Sequence, residues 1–517
     1  MTCLASVLLA VVNLQTVRDV PYLEGEELAT ASTSRVASCR LDIRAEPVYF
    51  FSNGTVGVRE VPLREIPAGA QTTLVDFGAD AFGWLEVRGG GVVRVALGEK
   101  LADDGCIDRH PGGCVRFASS EVECPSADWW IRVPLPADER NTTGRNGLAH
   151  AISLPAEVGV VLPFRYAEVP ADVAVRRVTV SWPMKQKMAW RAKGVADISE
   201  AQGKALEELF DFCAYSIRAT SFAGVYVDGD RERIPYEGDI YINMLGQLYG
   251  VDGDPTLARR SIRHVLKHPT WPTEWKQHAI MCVWEEWNYT GETNLAAECY
   301  DSLKRDKLMI DRARGDGLLP SDPQADMVDW PRGERDGYEM ETPANALVNA
   351  FHYLNLVQMR DLARALGKAD DEMFFLRRSE QVRARFNEVF FNAETGLYVD
   401  GEGASHSSLH ANAMAIYSGL ADDRRIPKVA DFIARKGMSC SPYFAQYYLE
   451  ALFKGGRRAD AIRLLCDRGP RSWLGMKDQG STITMEAWSN SVKPNQDWNH
   501  AWGAAPANLL PRYLSSK

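Results

Sequence analysis

Between about residues 35 and 190 the apolar positions come in short β-rich runs, separated by Gly, Pro and Asp. Leu74-Val-Asp-Phe-Gly78, Gly91-Val-Val-Arg-Val-Ala-Leu97 and Val175-Arg-Arg-Val-Thr-Val-Ser181 are examples. Runs of this kind, bounded by turn formers, predict strands, and their succession predicts a β-sandwich. Near Ser199 the period changes. Ser199 and Gln202 form a capping box, and Leu206, Leu209, Phe210, Cys213 and Ile217 fall on one helical stripe. Helical patterns then dominate to the end. Pro343 opens a further helix with Leu347, Phe351, Leu354 and Val357 on one side, and Gly367 closes it. Successive helices broken by long polar and aromatic loops predict a toroid of helical hairpins whose loops gather at one end. No fixed-period repeat is visible, which argues against a regular solenoid. The expected division is an N-terminal segment 1–34, signal-like or disordered, a β-sandwich over 35–190, and the helical domain over 191–517.

At 517 residues the chain exceeds what one core supports, so two or more domains are required. Hydrophobic residues make up 45% and charged residues 25%, the balance of a soluble globular protein. No run approaches the ~18 apolar residues of a membrane span. A net charge of −10 argues against the basic surface that nucleic acid or an anionic membrane needs, and fits a neutral or cationic small ligand. Fourteen tryptophans are an excess; flat rings suit the apolar faces of sugars, although filling a large core accounts for most of them. Residues 3–12 have the texture of a signal h-region, yet no Lys or Arg precedes them and no small-residue cleavage site follows, so a cytoplasmic location is expected. The ten cysteines lack metal-ligand spacing, and no metal or cofactor is expected. Only Cys106, Cys114 and Cys124 cluster enough to suggest bridging. Glycosylation sequons at Asn53, Asn141 and Asn288 occur at about chance frequency.

The chemistry concentrates in four loops of the helical half. The densest is Asp228-Gly-Asp230-Arg231-Glu232-Arg233-Ile-Pro-Tyr236-Glu237-Gly238-Asp239, which packs five carboxylates and two arginines into twelve residues, directly after the apolar Phe222-Ala-Gly-Val-Tyr-Val227. Charge at that density beside apolar residues points to charged groups held in a pocket. A charged loop capping the next helix is the competing explanation. A second loop, His268-Pro-Thr-Trp271-Pro-Thr-Glu274-Trp275-Lys-Gln-His278, sets two tryptophans and a carboxylate at a helix start. The third is Met327-Val-Asp329-Trp330-Pro-Arg-Gly-Glu334-Arg-Asp336. The fourth pairs Thr482-Ile-Thr-Met-Glu486-Ala-Trp488 with Gln496-Asp-Trp498-Asn-His500-Ala-Trp502-Gly503. Each alone reads equally well as structure. Their recurrence across a helical toroid describes a sugar pocket, in which one carboxyl is kept protonated as acid and another ionised as base.

The Asp228…Arg231-Glu232-Arg233-Ile-Pro-Tyr236-Glu-Gly238-Asp239 run resembles the Asp…Arg-x-Glu-Arg-x-Gly-Trp-x-Gly-Asp signature of the α-L-rhamnosidases of glycoside hydrolase family 78. The late Glu486-Ala-Trp488 with Asn499-His500, and Asp76-Phe-Gly78…Phe82-Gly83 with Gly98-Glu99 in the β-rich half, strengthen the likeness. The resemblance implies a β-sandwich followed by an (α/α)6 barrel catalytic domain and inverting hydrolysis of terminal α-L-rhamnosyl residues. Carried over by position, Glu232 is the general acid and Glu486 the general base, with the two carboxyls ~6.5–9.5 Å apart. Asp228 and Asp239 bind rhamnose hydroxyls or raise the acid's pKa, and Arg231 pins a carboxylate or hydroxyl. Tyr236, Trp275, Asp329, Trp330, Trp488 and His500 complete the substrate site. The implied partner is a rhamnosylated small molecule or oligosaccharide, and the implied assembly a homodimer. The chain departs from the signature in Pro235-Tyr236 for Gly-Trp, in an Arg-x-Glu spacing one residue shorter, and in Asp230, an added carboxylate beside Glu232. Two other classes compete: an unsaturated uronyl hydrolase or alginate-type lyase on the same toroid, which wants basic residues for a uronate, and a non-catalytic sugar-binding relative, against which the presence of both Glu232 and Glu486 argues.

Overall fold

The computed structural model of the chain describes residues 49–51, 54–56, 72–142, 145–147, 149–156, 158–184 and 187–515. The 1–34 segment, its signal-like run and the Asn53 sequon lie outside the described residues. The described chain packs as two compact units. One holds the residues up to Glu139 with Ser153–Gln186 and Arg218–Gly224; the other holds Arg140–Ile152, Lys187–Ile217 and Val225 onward.

The first unit is the expected antiparallel β-structure. Its strands run Ala174–Thr179, Thr72–Arg88, Leu162–Pro170, Gly91–Gly98, Phe117–Cys124 across the sheet, and Ile131–Arg132 pairs with the far end of Thr72–Arg88. All three runs singled out in the sequence are strands. Thr72–Arg88 is long because it bends: its register against Leu162–Pro170 shifts between Asp76 and Ala81, where Gly78 takes φ +84°. The bend folds the sheet around one core of Val75, Phe77, Leu85, Val87, Val93, Val95, Phe164 and Val175. Cys106, Cys114 and Cys124 carry free thiols, so the clustered cysteines form no bridge.

In the second unit, two kinds of helix alternate. Thr256–Lys267 buries Leu257, Ala258, Ser261, Ile262 and Val265, Ile426–Lys436 buries Val429, Ala430, Ile433 and Ala434, and Ala369–Val389 buries Phe375, Ser379, Val382 and Phe386. Each set is one stripe, the mark of a helix with one face in water. Glu237–Gly246 and Leu409–Tyr417 are buried at every position, and Thr273–Thr290, Ala346–Ala365, Ala445–Lys454 and Pro506–Tyr513 over most of theirs. Those six touch in sequence order, and the last touches the first. Among the described residues they therefore form a closed inner ring, with striped helices outside it: an (α/α)6 barrel. Because inner and outer helices alternate, the inner helices all run the same way, and every loop leading into one opens at the same end. Each of the four candidate loops is such a loop.

The predicted capping box is present: Ser199 N–H donates to Gln202 Oε1 at 2.9 Å, and Gln202 N–H to Ser199 Oγ at 3.2 Å. It starts the helix Glu200–Thr220, whose stripe residues Leu206, Leu209, Phe210, Cys213 and Ile217 are all buried. The helix expected from Pro343 starts three residues later, because the Asn345 side chain caps it by accepting from Leu347 and Val348. Its Leu347 and Phe351 are buried, while Leu354 and Val357 are only half-buried. Polar Asn349, His352, Asn355 and Gln358 share the buried surface instead.

Candidate active site

The Asp228–Asp239 run folds as a tight loop before it enters the inner helix Glu237–Gly246. Asp228 and Ile234 close it, with Asp228 N–H donating to Ile234 O at 3.0 Å and Ile234 N–H to Asp228 Oδ1 at 2.8 Å. Gly229 at φ +145° is needed there, since a Cβ would stand 2.6 Å from Asp497 Oδ2. Asp230 does not crowd Glu232: its carboxylate takes Arg233 Nη2 at 2.6 Å, its N–H donates to Asn499 Oδ1 at 2.7 Å, and its carbonyl accepts Asn141 Nδ2 at 2.8 Å. The Asn141 sequon is thus buried by its own hydrogen bond. Glu237 accepts Thr270 Oγ1 at 2.5 Å and faces Lys307 at 3.8 Å, tying this loop to the second.

One guanidinium joins the two glutamates. Arg231 donates from Nη1 to Glu232 Oε1 at 3.0 Å and from Nη2 to Glu486 Oε1 at 2.8 Å. With a guanidinium about 2.3 Å wide between its Nη atoms, those two bonds cap the separation of these oxygens at about 8 Å. That cap admits both the ~6.5–9.5 Å spacing of inverting glycosidases and the ~5–5.5 Å of retaining ones. Glu232 also accepts Tyr236 OH at 2.8 Å, and 30% of its side chain is exposed. Glu486 is 2% exposed and takes Lys493 Nζ on Oε2 at 2.9 Å.

Around the pair lies a buried ion network. His500 Nε2 meets Asp239 Oδ1 at 2.8 Å and Nδ1 meets Asp497 Oδ1 at 3.1 Å, while Arg231 N–H donates to Asp497 Oδ2 at 3.3 Å. Burial alone would lower the His500 pKa, but Asp497 and Asp239 outweigh it and hold the imidazole well above its usual value. In the other direction, burial would raise Asp497, and His500 pulls it below the usual carboxylate range. Ligand atoms of Glu486, Asp497 and His500 lie within 4.8 Å of one another, a metal-like grouping. In this arrangement both imidazole nitrogens of His500 face carboxylates, and Glu486 faces two cations. Burial, then the charge of Glu232, pushes Asp228 well above the usual range; its Oδ2 is buried without a partner.

The aromatic residues take more varied places. Trp275 is buried against Gly238, where a Cβ would come within 2.5 Å of its ring, and packs edge-on to Tyr443. The glycine next to Asp239 is therefore a seat for an indole. Trp330 is half-buried. Asp329 is fully enclosed, its carboxylate taking Ser441 Oγ at 2.5 Å, Ser441 N–H at 3.0 Å and His410 Nε2 at 2.8 Å. Trp488 is also fully enclosed, with its indole N–H on Cys440 O at 2.6 Å and its ring edge-on to Trp473. Neither of these two side chains presents a free face to a ligand, contrary to expectation. Glu274 accepts backbone N–H groups of Met327 and Val328 at 3.0 and 2.7 Å, and burial, then the Asp326 charge, raises it to about 7.

Arg231, Glu232, Tyr236, Asp239, Glu486 and His500 are thus joined, through Asp497, in one network, with Asp228 close enough to feel its charges and Trp275 seated beside it. Sequence reasoning missed the roles of Lys493, Asp497, Asn499 and Asn141. Asp497 and Asn499 stand in a run already singled out; Lys493 sits in a polar loop with no pattern to mark it.

A six-hairpin helical barrel carrying a bridged carboxylate pair at the mouth-side ends of its inner helices is the build of a six-hairpin glycosidase. Residues 198–514 match the family described as bacterial alpha-L-rhamnosidase 6 hairpin glycosidase domain, and the chain belongs to that family. Among solved structures it is similar to a rhamnosidase from Klebsiella oxytoca with rhamnose bound, at 15% identity and TM-score 0.65, covering 93% of this chain and 94% of that one. It is also similar to the family 78 rhamnosidase of Bacillus sp. GL1, at 18% identity and TM-score 0.64, covering 88% of this chain and 47% of that one. An α-L-rhamnosidase from Streptomyces avermitilis, complexed with L-rhamnose, gives 17% identity and TM-score 0.62 over 89% and 44%. The chain therefore spans about half the length of the latter two relatives and nearly all of the first. No curated protein matches the sequence.

Proposed function

We propose that the chain hydrolyses terminal, non-reducing α-L-rhamnosyl residues of glycosides or oligosaccharides with inversion at the anomeric carbon. Glu232 donates its proton to the departing glycosidic oxygen. Glu486 takes a proton from a water attacking the opposite face of the ring, so that the C–O bond to the aglycone breaks as the new C–OH bond forms. Family membership supports the reaction class. The observation that carries the residue assignment is Arg231, which bonds its neighbour Glu232 and, 255 residues further on, Glu486. Their unequal surroundings suit the division of labour, with the acid at the open side and the base enclosed among cations. As the glycosidic oxygen approaches Glu232, Arg231 has to yield one of its two bonds. Asp228, with an unpartnered buried oxygen, and Asp239, on His500, are the carboxyls available to rhamnose hydroxyls. Trp330, half-buried, supplies apolar surface for the deoxysugar, and Trp275, enclosed behind Gly238, backs the helix start that carries Asp239. Asp329 and Trp488 act from behind, fixing the loops that carry Trp330 and Glu486. A uronate substrate would need cations free to meet it, whereas Arg231 and Lys493 are both engaged by glutamates.

The test is hydrolysis of p-nitrophenyl α-L-rhamnoside, with the first-formed anomer followed by NMR. Release of nitrophenol with β-L-rhamnose appearing first is expected. No turnover of this compound alongside activity on another aryl glycoside would overturn the substrate assignment, and α-L-rhamnose appearing first would overturn inversion.

A further inference from the structure

Glu486 is gripped from both sides, and the two grips differ in origin. Arg231 arrives from a distant loop and is shared with Glu232. Lys493 belongs to the same loop as Glu486; its Nζ bonds Glu486 Oε2 at 2.9 Å and Asn495 Oδ1 at 3.1 Å. That loop is closed on itself: Glu486 N–H donates to Asp497 O at 3.3 Å, Ala487 N–H to Gln496 Oε1 at 2.8 Å, and Lys493 N–H to Ser489 O at 3.2 Å. Trp502 Nε1 pins the Glu486 carbonyl at 2.9 Å. At 4% and 2% exposure, the lysine and glutamate form a pair that water barely reaches. A buried ammonium is costly unless paired, so the contact survives geometrically only if it is well made.

We propose that Lys493 is the positioning residue of the general base. It holds Oε2, fixes the plane of the Glu486 carboxylate, and so aims the remaining lone pairs at the attacking water whether or not Arg231 stays in place. This rests on Glu486 being the base. Lys493 touches neither sugar nor water in this role; it acts through Glu486. A general base has to stand within about 2.6–3.2 Å of the proton it takes, and a displacement of about 1 Å costs on the order of a hundredfold in rate. The sequence encodes base and strut as a single unit, with no distant residue needed.

The experiment compares the full chain with its Lys493→Met and Lys493→Gln variants on p-nitrophenyl and 2,4-dinitrophenyl α-L-rhamnosides. Circular dichroism and thermal unfolding establish which variants fold. A folded variant is expected to lose roughly 10- to 100-fold in kcat with KM within about twofold. The loss is expected to be equal on both substrates, because water activation is indifferent to the leaving group, whereas the loss in Glu232→Gln shrinks on the dinitrophenyl compound. A kcat within twofold of the parent, a loss confined to KM, or a loss that vanishes with the better leaving group would each overturn the role of Lys493. Glu486→Gln separates the two levels. If it stays active, the assignment of the base fails. If it is inactive while Lys493→Met is fully active, only the inference about Lys493 fails.

Discussion

The loops bearing Glu232 and Glu486 both deliver a carboxyl to the same guanidinium, yet they hold it in opposite ways. The Glu232 loop is braced through its other charges: Asp230 by Arg233 and Asn499, Glu237 by Thr270, Asp239 by His500. Glu232 itself is left with a tyrosine hydroxyl and a share of Arg231, and 30% of its side chain is open. In the later loop Glu486 is the centre of the bracing, 2% exposed, with a cation on each oxygen. Two residues of one type thus stand in different surroundings, one partly open beside a tyrosine hydroxyl and one enclosed between two cations.

The largest break in this comparison comes from Glu486→Gln, which is expected to lower kcat by roughly 10³-fold with an unchanged unfolding transition, because general-base removal costs about 10²–10⁴. Steady-state kinetics beside circular dichroism check it. Next is Arg231→Met. Losing a charged hydrogen bond costs about 1.5–3 kcal/mol, or roughly 10- to 100-fold in rate. Because Arg231 acts on both glutamates, combining it with Glu486→Gln is expected to add only the part of its loss that runs through Glu232, and a double-mutant cycle measures that.

Glu274 extends the contrast to a buried carboxyl held by backbone N–H groups in place of cations. Raised to about 7, it keeps its proton in the native state over a range where the unfolded chain has lost it. Its contribution to stability is therefore complete below the unfolded value near 4.5 and is lost as pH rises through about 7, a change on the order of 3 kcal/mol. Urea midpoints at pH 5 and 7.5 are expected to diverge in the parent and converge in Glu274→Gln. The smallest effect expected is from Gly238→Ala, which drives a methyl into the Trp275 ring and costs about 1–3 kcal/mol in urea unfolding.

Much of this was legible in the chain. The capping box at Ser199, the stripe from Leu206 to Ile217 and the three strand runs obey local rules of period and cap, and they stand as read. The carboxylate density at 228–239 marked a loop whose charges are drawn into pairs, because charge beside apolar sequence needs a partner somewhere. What pairs with what was not legible: Asp230 and Glu237 turn out to brace the loop because Arg233, Asn499 and Thr270 reach them, and two of those three are distant in sequence. Asp329 and Trp488 read as ligands to sugar because carboxylate and indole look alike in a sequence whether they face a cavity or a wall. Lys493 gave no signal, since one lysine in a polar loop becomes informative only once its neighbour is known.

The inner ring closes between Glu237–Gly246 and Pro506–Tyr513, which also sets a schedule for the molecule. Arg231 waits 255 positions for Glu486, and at the ~5–20 residues per second of protein synthesis that gap is tens of seconds. Through that interval a nascent chain carries the 228–239 loop without Glu486, Asn499 and His500 and without the stave that shuts the barrel. The bridge from Arg231 to Glu486 is therefore completed only after the later loop has been made, and the ring only after Pro506–Tyr513 follows it.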